Sequence, residues 1–367
     1  MTSKHPAAAR GVTLVELMVG LAIGLICTVI VTQVFSIAEG QKRSTTSGSD
    51  AQVNGALALY ALQRDVQMAG YGLTTENTVL GCDLRAWRGG VAANWTLAPV
   101  VITDGASGAP DTIVTLSSTN MNASLPTKVT EDHLASGTDF LVGTRVGVRA
   151  GDVMIAVPPT IDATHWCSVL NVTSVADDGA GHHVRHVADA TTGPWNPDPA
   201  SSIFPATGYP AGSYLISVGQ MIRRTYSINS ETLRDAVINT QAGIAEGAPS
   251  ELFPQIVNLQ ALYGKDTDND RVVDVYDNVT PTTAAGWRQV LSVRIAVVAR
   301  STQYEKDEVT VAEPVWDVGA TPTVTGSTTC GSSQCITLKV DGLTDWKHYR
   351  YKVYDSVVPL RNMLWSS

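Results

Sequence analysis

The chain is poor in charge, and the little it has leans acidic: 16% of its 367 residues are charged, with a formal net charge of −9. It has no basic run. That argues against non-specific nucleic-acid binding by the whole domain, which draws on clustered Lys and Arg. It lacks a Ser–His–Asp order, a Walker loop and a dinucleotide fingerprint in suitable context, so the expectation is that it is not an enzyme. Gly-rich stretches such as Gly179–Gly181 read as turns, and there is no internal repeat. The five cysteines lack paired C-x-x-C spacing and have no histidine close in sequence, a poor match to zinc. Finally, no small-residue cleavage site follows the one long apolar run. The only such site, Ala7-Ala8-Ala9-Arg10-Gly11, lies before it, whereas a secretory signal has a shorter apolar core and is cut after it.

That apolar run is the most informative segment present. From Val12 to Ile37 the single charged residue is Glu16. A helix of this length spans roughly 39 Å, enough to cross a hydrocarbon core of about 30 Å. A cut at Gly11 leaves the helix on the mature chain and, by removing Lys4 and Arg10, makes the formal charge more negative by two. The same two basic residues, with no acids nearby, place the leader in the cytoplasm and the bulk of the chain outside it. A carboxylate in hydrocarbon is costly and normally faces a partner, and a plain single-span anchor does not account for the position of Glu16. Gly20 and Gly24 form a Gly-x-x-x-Gly pair that lets helices approach closely.

Cys27 lies within the apolar helix and reads as a small hydrophobe. Cys82, Cys167, Cys330 and Cys335 lie outside it, an even number that fits two disulfides in an oxidising compartment, with three possible connectivities. Cys330 and Cys335 sit between two β-like runs, Pro322–Thr329 and Ile336–Val340. A bridge there staples a hairpin and leaves Cys82 with Cys167.

Helical spacing resumes from about Asp50 to Met68. Val53, Leu57, Tyr60 and Arg64 mark one face, and Leu59, Leu62 and Val66 another. The link Glu39–Ser49 is a poor helix former and reads as stiffened helix or frayed joint. Gly70 and Gly72 end the helix. Beyond Leu73 the pattern is short β-like runs, among them Thr112–Leu116, Val153–Val157, Tyr214–Val218, Met221–Ile228, Gln289–Ala299 and Tyr349–Val358. Several alternate as half-buried antiparallel strands do, though the inward set of Val290–Val298 cannot be fixed from the sequence. Residues Ala176–Pro210, rich in Gly, Pro, Asp and His, read as a surface excursion.

Two clusters invite ligand chemistry. In Lys265–Asp277, oxygen-bearing side chains fall at places one, three, five, nine and twelve, namely Asp266, Asp268, Asp270, Asp274 and Asp277, with the Val272 carbonyl at place seven. That is the spacing of a calcium loop. Arg271 stands where glycine normally allows the turn and Asp277 is shorter than the usual Glu, so a solvated acidic hairpin tip is the competing reading. The second cluster is His182-His183-Val184-Arg185-His186, where His182 and His186 share a strand face. Without a fixed third ligand it reads as a solvated strand end rather than a zinc or copper site.

The segment Gly11-Val12-Thr13-Leu14-Val15-Glu16-Leu17, behind its basic leader, resembles the N-terminus of type IV prepilins. It departs from them in having Val12 where Phe is usual. The resemblance implies peptidase cleavage after Gly11, methylation of the Val12 amine, and a Glu16 that pairs with the amine of a neighbouring subunit. The segments Leu62–Gly72, Gly81-Cys82, Tyr263–Asp268 and Val358–Asn362 are similar to the PilW family of minor pilins. Membership implies an α+β fold: a long N-terminal helix, its first half membrane-spanning, packed on an antiparallel sheet with an enlarged β-rich C-terminal region. The expected parts are a leader at 1–11, a membrane and filament-core helix at 12–38, a periplasmic helical half at 39–72 and a β-rich domain at 73–367. It also implies a role in initiating pilus assembly near the filament tip, upstream of motility, adhesion and DNA uptake. Partners would be other minor pilins, the major pilin, a large tip adhesin, the prepilin peptidase and the inner membrane, with the globular part periplasmic before export into the fibre. Calcium is the one cofactor with a sequence basis. The alternatives are a type II secretion pseudopilin and a membrane-tethered adhesin or enzyme.

Overall fold

The computed structural model describes residues 11–73, 77–118, 126–239, 243, 246–320 and 324–364, and the chain divides into two compact units, Met1–Asp50 and Ala51–Ser367. Lys4, Arg10 and the Ala7–Ala9 site lie outside the described residues. One helix, α1 (Leu14–Met68), contributes to both units. The stretch Glu39–Ser49 is helical throughout, so continuity with the turns on either side overrides its weak local propensity.

In the first unit, Leu14–Lys42 reaches a mean hydropathy of 2.6 over an 18-residue stretch and is long and apolar enough to cross a membrane. Its large apolar side chains are exposed all round, from Val12 to Ile37. Its hydroxyls bond inward: Thr28 Oγ1 donates to the Leu25 carbonyl at 2.8 Å, and Thr32 Oγ1 to Val29 at 2.8 Å. Satisfying polar groups within the helix is what an apolar surrounding demands.

In the second unit, the end of α1 packs on a four-stranded sheet. Its strands are β1 (Ile256–Lys265), β2 (Val275–Asp277), β3 (Val290–Arg300) and β4 (Tyr351–Pro359), antiparallel in the order β2-β1-β3-β4. Ala51, Ala58, Leu59, Leu62 and Val66 are buried in one cluster with Leu259, Val293, Ile295, Val297 and Val358. The other helical face, Val53, Leu57 and Tyr60, is exposed. Asp65 accepts hydrogen bonds from Arg224 and Tyr226, tying α1 to the strand Met221–Asn229. At the C-terminus of α1, Asn362 Nδ2 donates to the carbonyls of Met68 (3.3 Å) and Ala69 (2.9 Å), supplying partners a helix end otherwise lacks.

The opposite face of the sheet is covered too. Val257, Leu262, Ala296 and Val298 pack with Trp316, Val318 and Ile336 from the small sheet Val315–Gly319, Ser333–Thr337, Thr328–Cys330, and with Leu338 just beyond it. This explains why β3 shows no alternation: ten of its eleven residues are buried, on both faces. Cys330 and Cys335 are bonded and close the hairpin in that small sheet.

The rest of the unit holds a five-stranded sheet, a six-stranded sheet and a three-stranded one. The six-stranded sheet departs from all-antiparallel pairing. Asp83–Arg88 runs parallel to Cys167–Asn171, with Leu84 opposite Cys167. The Cys82–Cys167 disulfide sits at this junction and joins segments 85 apart in sequence. Closing so long a loop removes unfolded-state entropy, which stabilises by about 4 kcal/mol in the chain-entropy model.

The expected surface excursion at 176–210 is corrected. Gly181–Arg185 pairs with Ser174–Asp178 on one side and Asp139–Val142 on the other, and Val184, His186, Trp195, Ile203, Phe204 and Tyr209 are buried. Exposed turns such as 177–180 and 189–192 alternate with these buried residues, so the segment adds to a core as well as to the surface.

At Gly55 α1 lies close against the sheet. A Cβ there would lie 2.6 Å from Tyr354 Cδ2 and 3.0 Å from Ala299 Cβ. Gly55→Ala gains helix propensity of about 1 kcal/mol but overpacks a close contact, which costs roughly 1–3 kcal/mol. The expected result is a lower midpoint of thermal unfolding for the Ala variant, followed by circular dichroism. A rise would mean the contact relaxes freely.

Candidate functional site

The N-terminal segment is built around a helix start. Gly11, Val12 and Thr13 precede the helix and are exposed. Glu16 Oε2 accepts from the Thr13 backbone N–H at 3.1 Å and from Thr13 Oγ1 at 3.0 Å, while the Glu16 N–H donates to Thr13 Oγ1 at 3.2 Å. This is a capping box, Thr at the cap and Glu three residues on. It is a local reason for Glu16 that the sequence reading missed, although the T-x-x-E spacing was there to find it. Gly20 and Gly24 lie on the exposed helix, with nothing within 4 Å of where a Cβ would stand. Cys27 is likewise exposed and unbonded.

The acidic loop joins β1 to β2. Asp266 is buried and accepts three backbone N–H groups, Asn269 and Asp270 at Oδ1 (2.6 and 3.2 Å) and Arg271 at Oδ2 (2.8 Å). Asn269 and Arg271 take positive φ, 66° and 72°, which is how the turn closes with arginine in the glycine place. Asp266, Asp268 and Asp274 bring one oxygen each within 4.8 Å of one another. The Asp270 amide holds the Asp268 carboxyl down, but desolvation and the neighbouring Asp270, Asp274 and Asp266 charges together push it up.

Two of the expected ligands stand apart from that trio. Asp270 Oδ1 is turned to the Val272 N–H at 2.7 Å. Asp277 pairs with Lys265 Nζ at 2.7 Å, both half to nearly buried, so place twelve serves an ion pair across the β1–β2 ladder rather than the loop. Val272 has an exposed side chain.

The histidine cluster is divided by the strand. His182 Nδ1 meets Asp177 at 2.8 Å on the surface, and His183 lies between Asp139 (2.9 Å) and Asp178 (3.0 Å), which raise its pKa. His186 is not at a solvated strand end. It is 2% exposed, with Nε2 2.9 Å from Nε2 of His133, itself 4% exposed. One ring donates and the other accepts, which needs at least one neutral ring, and burial favours the neutral form of both. Phe140 stacks on His133 at 3.7 Å, and Phe204 packs on both histidine rings. Nothing in the sequence joins His133 to a residue 53 positions on; only the fold pairs them.

Residues 214–362 match the family model described as Type IV pilus-assembly protein W (PilW), and residues 7–32 match the prokaryotic N-terminal methylation motif. The first match contains β1 to β4 and the acidic loop; the second contains Gly11, Glu16, Gly20 and Gly24. Among solved structures the chain is similar to "Type IV-like pilin TTHA1219 from Thermus thermophilus", at 11% identity and a TM-score of 0.34, over 85% of this chain and 97% of that one. No curated protein matches.

Burial lowers the His133 pKa to about 4 and that of His186 to about 3. Unfolded histidine protonates near pH 6.5. Between pH 6.5 and 4 the unfolded chain therefore binds more protons than the folded one, so stability falls as pH falls through that window. The pair should contribute a loss on the order of a few kcal/mol. His133→Phe combined with His186→Phe should flatten the decline in melting temperature from pH 6.5 to 4, and an unchanged slope would count against this account.

Proposed function

We propose that this chain, a type IV pilin-like protein with a PilW domain, is a minor pilin that helps to initiate pilus assembly near the filament tip. On this reading it is a structural subunit, held in the inner membrane with Ala51–Ser367 in the periplasm until it enters the fibre. Its partners are the prepilin peptidase, other minor pilins, the major pilin and a tip adhesin.

One observation carries the proposal. The methylation-motif match covers a non-helical, exposed Gly11–Thr13 directly ahead of a 29-residue apolar helical span. A peptidase needs extended, accessible backbone at its cut, and a cut at Gly11 leaves the entire span on the product. The new amine at Val12 then stands one residue before the Thr13 cap and four before Glu16, the one acid between Val12 and Ile37.

The test has three arms. Mass spectrometry of the N-terminal peptide from membranes should find a methylated Val12, and an intact Met1 would end the reading. Glu16→Gln keeps a capping acceptor but removes the charge, whereas Glu16→Ala removes both. If Glu16 pairs with a neighbour's amine, both variants should reach the membrane yet enter filaments poorly. Wild-type entry by the Gln variant would reduce Glu16 to a cap. Deleting the chain should abolish surface pili; loss of secreted enzymes with pili intact would favour the pseudopilin instead.

A second reading concerns the acidic loop, which we propose takes calcium weakly, with a dissociation constant of roughly 10⁻⁴–10⁻³ M as in extracellular modules. It is favoured by the three convergent carboxylates, Asp266, Asp268 and Asp274. Calcium should raise the melting temperature as its concentration passes that range, and Asp268→Asn with Asp274→Asn should remove the effect. An unchanged melting temperature in several-millimolar calcium leaves only a solvated turn.

A further inference from the structure

The four-stranded sheet ends on a bare edge. β4 is hydrogen-bonded to β3 on one side and is the longest edge strand among the described residues, nine against six or fewer for the others. Its pairing with β3 runs without a bulge from Ser292 opposite Pro359 to Arg300 opposite Tyr351.

Two hydrogen bonds at its ends fix which groups face outward. The Leu360 N–H donates to the Leu291 carbonyl at 2.9 Å, and the Ser301 N–H to the Arg350 carbonyl at 2.8 Å. Inward residues therefore have even numbers. Tyr351, Val353, Asp355 and Val357 turn both backbone N–H and C=O away from β3. Among the described residues these groups have no partner strand. Pro359, the next outward place, has no N–H and closes the template. Natural sheets usually blunt such an edge with a proline, a bulge or a covering element, because it pairs readily with another chain. Between Tyr351 and Val357, among the described residues, this edge has no proline, bulge or further strand, and its only such device is the charge of Lys352 and Asp355.

Beside the edge lies a hollow of about 560 Å³ lined by Arg294, Trp316, Asp317, Val353 and Asp355. The Arg294 guanidinium is committed: it donates to the Val318 and Asp317 carbonyls and to Asp355 Oδ2 at 2.9 Å. Trp316 Nε1 donates to the same carboxylate oxygen at 3.2 Å. Two acids against one base leave the hollow net negative. On the same strand, Val357 is 50% exposed.

We propose that β4 is a docking edge for an extended segment of a different protein. That segment adds as a fifth strand, hydrogen-bonded to Tyr351, Val353, Asp355 and Val357, with a lysine or arginine at the hollow and an apolar residue against Val357. Main-chain pairing supplies affinity and alternate side chains supply selectivity. A second copy is the poorer occupant: antiparallel pairing of two β4 strands that matches all four outward residues sets Asp355 opposite Val353 and diagonal to its counterpart, and brings two negative hollows together, which repel. The inference stands on the sheet alone and holds whether or not the chain enters a pilus.

The test uses the full chain in detergent and a blocked seven-residue peptide of alternating threonine and valine with a central lysine. Hydrogen exchange should be fast at the amides of Tyr351, Val353, Asp355 and Val357 in the free protein and slow with peptide. The same peptide with central glutamate should bind about tenfold more weakly. Val357→Pro breaks no β3–β4 bond and should abolish protection, while Asp355→Arg should reverse the preference toward the glutamate peptide, whichever variant folds better. Slow exchange at those amides in the free monomer, equal binding of the two peptides, or absence of protection would each overturn the proposal. So would concentration-dependent dimerisation abolished by Val357→Pro, which would make the occupant a second copy.

Discussion

The contact of α1 with the β1–β3–β4 surface is the constraint on which the globular unit depends. The helix comes close because the facing positions are small: Ala51, Gly55 and Ala58, with Leu59, Leu62 and Val66 filling the space beyond. Gly55 is unfavourable for helix formation by about 1 kcal/mol, and its retention in the middle of a helix reflects the nearness of Tyr354 and Ala299. The opposite face of the same sheet must also be dry, and Trp316, Val318 and Leu338 make it so. A sheet covered on both faces has only its ends and edges left for polar work. The acidic β1–β2 loop occupies one end and the exposed flank of β4 the other.

Where one interaction dominated locally, the sequence was legible. The periodicity of Leu59, Leu62 and Val66 marked the buried stripe of α1, and the exposed Val53, Leu57 and Tyr60 show the limit of that reading: apolar spacing marks a face without saying what covers it. Val153–Val157 matched its strand residue for residue because Gly and Pro punctuate it on both sides. β3 resisted a register because it has no polar face to reveal one. Glu39–Ser49 could not be decided because propensity favours coil while chain continuity favours helix, and continuity prevails.

The candidate sites divide along the same line. Asp266, Asp268 and Asp274 converge because they lie within one turn, while Asp277 is taken by Lys265, a diagonal partner on the facing strand that ligand spacing ignores. His186 was misjudged because its neighbours in sequence are glycines and aspartates, whereas its neighbours in space are His133, Phe140 and Phe204. Composition reports the first kind of neighbour. Burial depends on the second.

Glu16 joins the two halves of the argument. In the single chain its carboxylate already has partners, the amide and hydroxyl of Thr13. A cap of this kind is worth roughly 0.5–2 kcal/mol. On the pilin reading the subunit must wait in the membrane before a neighbour arrives, and an unpartnered carboxylate there would be costly. The capping box removes that difficulty by holding Glu16 satisfied until assembly. A neighbour's amine then has to exceed only the cap, not the full desolvation of a bare acid. The opposite charges can do so in a low-dielectric filament core, where their attraction is far stronger than in water. On that reading capping and pairing are successive uses of one carboxylate, and the weakness of the first permits the second.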